Sequence, residues 1–162
     1  MNIDLTNLIT NIEEELILNI ELNFSKENLK ETGIEELKET KFIGEITKLY
    51  DNNFQLSGIL KGVMILPDDI TLEPVEYKFE TNLEEKFNEF TENTDNNLKI
   101  IQNRLDISEF LWQNILVEIP LKVVSEKNKD LTLKGDGWRF ITEEELTKEN
   151  NSPFSELKDK FN

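Results

Sequence analysis

The sequence contains no cysteine and no histidine. Disulfides, thiolate nucleophiles, Ser-His-Asp and Cys-His triads, HExxH zinc sites, zinc fingers and ligation of haem or iron–sulfur clusters through Cys or His are excluded on that ground alone. Arginine is nearly absent, with only Arg104 and Arg139 available for bidentate phosphate contacts. Six glycines and four prolines leave no Pro- or Gly-rich linker, and no internal repeat is present. No segment approaches the ~20 consecutive apolar residues of a membrane span. Met1-Asn2-Ile3-Asp4-Leu5 lacks the basic start and apolar run of a signal peptide, so a cytoplasmic protein is expected.

What the sequence has in excess is negative charge. Its 162 residues carry 34 acidic against 18 basic side chains, a formal charge of −16, with a pI near 4.4. Such a surface repels phosphate backbones and anionic lipids, favours solubility and attracts basic polypeptides, so direct binding of bare RNA is disfavoured. With 37% apolar residues and ten phenylalanines there is material for a core, and one domain over residues 1–162 is expected.

Apolar residues alternate from Leu16 to Phe24, the period of a half-buried strand. Ser25 to Lys30 can form a helical turn closed by Gly33. Residues 42–50 and 54–66 read as a hairpin around Asp51-Asn52-Asn53, a connector that tolerates left-handed backbone. Gly58 and Gly62 share the apolar face of the second arm, leaving room for twist, a bulge or a large neighbouring side chain. After Pro67-Asp68-Asp69 the alternation resumes at Val75 and is favoured as strand through Leu83, although Leu83, Phe87 and Phe90 also fit a helical stripe. Residues 80–95 carry six acids against Lys86 and read as a solvated strand end and mobile loop. A short strand near Leu98–Ile101 leads to Asp106 and Glu109, spaced as a capping box, then to a helix bearing Trp112 and ended by Pro120. Gly135-Asp136-Gly137 reads as a tight turn from which Trp138-Arg139 emerges, and helices are expected to open at Thr142 and at Ser152-Pro153. The sum is an α+β fold: an antiparallel β-sheet of about five to seven strands, strongly twisted or barrel-like, with a helix-richer C-terminal third.

Motifs for chemistry are sparse. No glycine spacing matches GxxxxGK or GxGxxG. Asp51-Asn52-Asn53 and Asp95-Asn96-Asn97 lack the central Gly and terminal Glu of a calcium loop. Asp68 and Asp69, or the glutamate clusters, could supply paired carboxylates, but nothing desolvates one member of a pair, and a solvated face is the better reading. Trp112 reads as core, whereas Trp138 beside Arg139 at a turn has the composition of an interface anchor, with ordinary packing as the plainer alternative.

The run Met64-Ile65-Leu66-Pro67-Asp68-Asp69-Ile70-Thr71-Leu72-Glu73-Pro74-Val75-Glu76-Tyr77-Lys78-Phe79 resembles a segment of the YceD family of bacterial and plastid proteins, linked to accumulation of the large-subunit ribosomal RNA. Leu105-Asp106-Ile107-Ser108 before a helix ending at Ile119-Pro120, Gly135-Asp136-Gly137-Trp138 before Thr142-Glu143-Glu144-Glu145, and Ser152-Pro153-Phe154-Ser155-Glu156-Leu157-Lys158 agree in order, with Ile3-Asp4-Leu5 as a weak opening match. Many members carry Cys where this chain has Asp68, often Arg where it has Ile70, and further Cys pairs that look like metal ligands; this chain has none of these cysteines, so a metal role is not carried over.

The resemblance implies a non-catalytic accessory factor for large ribosomal subunit assembly and supplies no catalytic residues; without the family's cysteines, no metal or cofactor is expected. Its charge points to a basic ribosomal protein or large-subunit precursor as partner, with no membrane and no small-molecule substrate. Genes of the family commonly lie beside that of a small basic ribosomal protein of the large subunit, which makes that protein the first candidate. The acidic stretch Glu84, Glu85, Glu89 and Glu92 is expected to attract the partner, and Trp138 and Arg139 to anchor it. The alternatives are a divalent-metal-dependent hydrolase or phosphotransferase built on clustered carboxylates, and an acidic nucleic-acid mimic.

Overall fold

A computed structural model describes residues 1–50, 52–88, 98–125 and 127, and the backbone of 134–135 and 138–139. The chain divides into two compact units, Met1–Val123 and Val124–Asn162. The first is built on four antiparallel strands. With β1 (Asn2–Asp4), α1 (Thr6–Ile9) and α2 (Lys26–Leu29) taken in chain order, these four are β2 (Glu15–Glu21), β3 (Glu36–Lys48), β4 (Asn53–Pro67) and β5 (Pro74–Asn88), hydrogen-bonded in the order β2-β3-β4-β5. Next come β6 (Lys99–Ile101), β7 (Arg104–Asp106) and α3 (Ser108–Val117); β1, β7 and β6 form a small second sheet. In the second unit β8 (Lys134–Gly135) pairs with β9 (Trp138–Arg139), Gly135 opposite Trp138; the turn expected at Asp136-Gly137 lies outside the described residues.

The strand period dictates which face is buried. Leu18 on β2, Phe42 and Ile46 on β3, Phe54, Leu56, Leu60, Met64 and Leu66 on β4, and Phe79, Leu83 and Phe87 on β5 all point to one side. Leu5, Leu8, Leu29, Leu98, Leu105, Ile107, Leu111 and Ile115 from the helices and the small sheet close the same core. Each such side chain contributes about 1.5–3 kcal/mol on burial. Trp112 lies partly buried against that core, its ring 4.7 Å from Phe24.

The glycines on the buried face make room for aromatic rings. Gly44 and Gly58 stand directly opposite each other, and a Cβ on either would meet the tip of Phe42 at 2.7 Å. At Gly62 a Cβ would meet the Phe79 ring at 3.0 Å and the Thr40 hydroxyl at 2.8 Å. Of the three uses open to these glycines, the large neighbouring side chain describes both, and the β3 bulge between Lys38 and Lys41 lies beside Gly62. Glu39 takes a left-handed φ of 49° within that bulge.

Several expectations need correction. The sheet is open, because β2 and β5 are its ends among the described residues, so it is not a closed barrel. In place of one sheet of five to seven strands, the described residues form sheets of four, three and two strands, the strands of the two smaller sheets being pieces of two or three residues, too short to show a two-residue period. Asp106 accepts the first-turn amide of Ser108 at 2.9 Å, but the N-cap is Ile107 and no side chain caps it, so the capping box does not form. The preference for strand over a helical stripe holds at Leu83 and Phe87, both in β5, while Phe90 lies outside the described residues. The remainder of the acidic stretch beyond Asn88 and the helices expected from Thr142 and Ser152 also lie outside them, so the helix-richer C-terminal third has no described counterpart beyond α3.

Candidate interaction surface

The side chains that do not face the core form the outer face of the four-stranded sheet, and the register arranges them in rows. One row runs Ile17, Glu45, Ser57, Glu84; the next Asn19, Ile43, Ile59, Asn82; the next Glu21, Lys41, Lys61, Glu80. Ile17, Ile43 and Ile59 are exposed at 74%, 42% and 37%. Lys61 lies 3.6 Å from Glu80, and Lys38 lies 3.8 and 3.6 Å from Glu36 and Glu76. Such exposed pairs contribute little each, about 0–1 kcal/mol, so this face is shaped by the sheet rather than holding it together. Beside the bulge the rows part into a furrow of about 740 Å³, flanked by Lys41, Lys61, Lys78, Glu21, Glu39 and Glu80. Lys41 and Lys61 are direct cross-strand neighbours, an arrangement that like charges disfavour unless acids flank it, as Glu21 and Glu80 do here.

The expected partner-binding residues divide. Glu84 is exposed on the outer face, where it accepts from the Gln55 side-chain amide at 2.9 Å. Glu85 pairs with Leu56 on the opposite, core-side face and is half-buried. Adjacent in sequence, the two acids are not one patch, because successive strand residues point to opposite faces. Glu89 and Glu92 lie outside the described residues. Trp138 and Arg139 are paired through their backbones with Gly135 and Lys134, and their side chains lie outside what is described.

Asp68 and Asp69, weighed above as a carboxylate pair, have a structural use. Asp68 is fully buried, and its Oδ1 accepts the amides of Ile70 and Thr71 at 2.8 and 3.0 Å. This braces a corner in which Leu72 takes a left-handed φ of 61°. Asp69 clasps Val123 twice, donating its amide to the Val123 carbonyl and accepting the Val123 amide on Oδ2, both at 2.8 Å. The β4–β5 corner is thereby tied to the chain leaving α3. Sequence alone shows the break at Pro67 but not the partner 54 residues away.

At the small sheet, Asp106 and Asp4 are held below their ordinary pKa. The Ser108 amide beside Asp106, with the terminal ammonium 3.0 Å away, stabilises its charged form, and the hydroxyl and amide of Thr6 do the same for Asp4. Neither stands in a cleft with a partner poised for proton transfer; both tie short elements together. Among the described residues no three acids converge as metal ligands, and no helix is long and apolar enough to cross a membrane.

The model of the family described as large ribosomal RNA subunit accumulation protein YceD matches residues 56–159. This chain belongs to the YceD family. The match begins within β4 and takes in the braced corner, β5, β6, β7, α3 and the β8–β9 pair. Among curated proteins, the uncharacterized protein YlbN of Bacillus subtilis (strain 168) is 26% identical, an alignment covering 68% of this chain and 78% of YlbN. No solved structure matches the chain. A YceD protein is thus described by an accumulation phenotype of ribosomal RNA rather than by a reaction, which suggests a role related to ribosome biogenesis.

Proposed function

We propose that this YceD protein is a non-catalytic accessory factor for large ribosomal subunit biogenesis, supporting 23S rRNA accumulation by binding a basic ribosomal protein or a precursor that carries one, in the cytoplasm and as a single domain. The observation that carries the reading is the family match over 56–159 on a chain of charge −16. A surface of this sign reaches a pre-ribosome through its cationic proteins rather than its phosphates, and screens them until RNA displaces it. In this reading Glu84, Glu85, Glu89 and Glu92 supply attraction, and Trp138 and Arg139 the anchor.

The test is a pull-down of purified basic large-subunit proteins by the full chain at low and high salt, alongside a labelled rRNA fragment. Retention of one or more basic proteins that falls steeply as salt rises, without retention of the RNA alone, is expected. Tight binding of bare RNA at ordinary ionic strength, or turnover of a small molecule by the purified chain, would overturn the proposal.

A further inference from the structure

The hydrogen-bond phase of the sheet fixes which backbone groups of β5 are left over. The Asp68 amide donates to the Glu73 carbonyl at 2.8 Å, so, counting back along the register, odd-numbered residues of β5 bond to even-numbered residues of β4. The Leu49 amide, donating to the Asn53 carbonyl at 2.7 Å, assigns the odd-numbered residues of β4 to β3, which agrees. The amides and carbonyls of Glu76, Lys78, Glu80, Asn82 and Glu84 therefore point away from β4, and no described strand pairs with them there. Pro74 sits in the same phase, the one in which a strand tolerates a residue without N–H.

The side chains along this edge are sorted by face. Glu76, Lys78, Glu80, Asn82 and Glu84 are exposed on the outer face, three acids against one base, while Val75, Tyr77 and Thr81 border the core side and are only partly covered. A strand added here would set alternate side chains beside the acids and the intervening ones beside Val75 and Tyr77.

We propose that the free edge of β5 between Glu76 and Glu84 is a docking site for an extended segment of a cationic protein in which basic and apolar residues alternate, added as a fifth strand. Main-chain hydrogen bonds give this mode its affinity and the alternation its selectivity. The inference rests on the reading of a basic partner and names how such a partner is held.

The probe is a fluorescent peptide of alternating lysine and valine, titrated into the full chain at low salt, with a second peptide of the same composition in which lysines and valines are segregated into blocks. The alternating peptide is expected to bind at least about tenfold tighter. Asn82→Pro removes an outward amide without touching the β4 ladder and should weaken it by about tenfold, while Asn82→Ala leaves it unchanged. Equal binding of both peptides, or full binding to Asn82→Pro, overturns edge docking and leaves the basic-partner reading standing. No binding of either peptide counts against that reading as well. Hydrogen exchange on the wild-type chain decides the case if Asn82→Pro does not fold: the amides of residues 76, 78, 80, 82 and 84 must gain protection with the alternating peptide, and unchanged exchange there overturns the proposal.

Discussion

The two faces of the four-stranded sheet are made from the same four strands and obey different rules. On the core side the fit is steric: Phe42 lies across a glycine pair and Phe79 against a third glycine, with no room for another carbon. On the outer side isoleucines stand open, charges meet in loose rows, and a furrow crosses the strands. One face therefore carries the stability, and the other is free to vary with what the protein touches.

Substitutions should separate the faces, beginning with the largest effect. Phe42→Ala empties the space above the glycines and should cost about 3–5 kcal/mol in denaturant unfolding. Gly58→Ala should cost roughly 3 kcal/mol, and Phe42→Leu in the same chain should not restore it, because the Ile43 carbonyl at 2.5 Å and the Gly44 Cα at 2.6 Å also obstruct the new methyl. Restoration by Phe42→Leu would show that the ring alone sets the fit. Asp68→Ala leaves two amides of the corner without their acceptor and should lower stability by about 1–3 kcal/mol. Ile59→Thr on the outer face should move the midpoint by no more than about 0.5 kcal/mol; a core-sized loss there would erase the contrast between the faces.

The smallest expected effect is a titration. Asp106 has a folded pKa below its ordinary 3.8, so its contribution is present above that value and is lost as pH falls through the lower folded one. Being more than half exposed, with 55% of its side chain accessible, it should contribute no more than about 0.3 kcal/mol after solvent screening. Asp106→Asn should flatten the acid limb of the stability profile slightly and leave neutral pH little changed. A steeper acid limb in the variant would contradict the assignment.

The long strands were legible in the sequence because a two-residue period over seven to fifteen residues has few competitors. Asn52 and Gly33 announced their left-handed backbones by residue type, with φ of 56° and 79°. The sequence reading missed β1 and α1, which are three and four residues long and depend on distant contacts such as the Leu5 amide on the Asn103 carbonyl. Gly62 hints at the bulge from the facing strand, but its own position on β3 is unmarked, because the left-handed residue there, with φ of 49°, is Glu39 rather than a glycine or asparagine. The acidic run was visible as charge, but the pleat that sends Glu84 outward and Glu85 inward emerges only once strand and register are known.

The corner at Asp68 and Asp69 has a practical consequence. A buried carboxylate gripped by peptide N–H groups closes it, and with no thiol anywhere in the chain peroxide finds no sulfur there to oxidise. Its preparation needs no reductant to keep that corner closed.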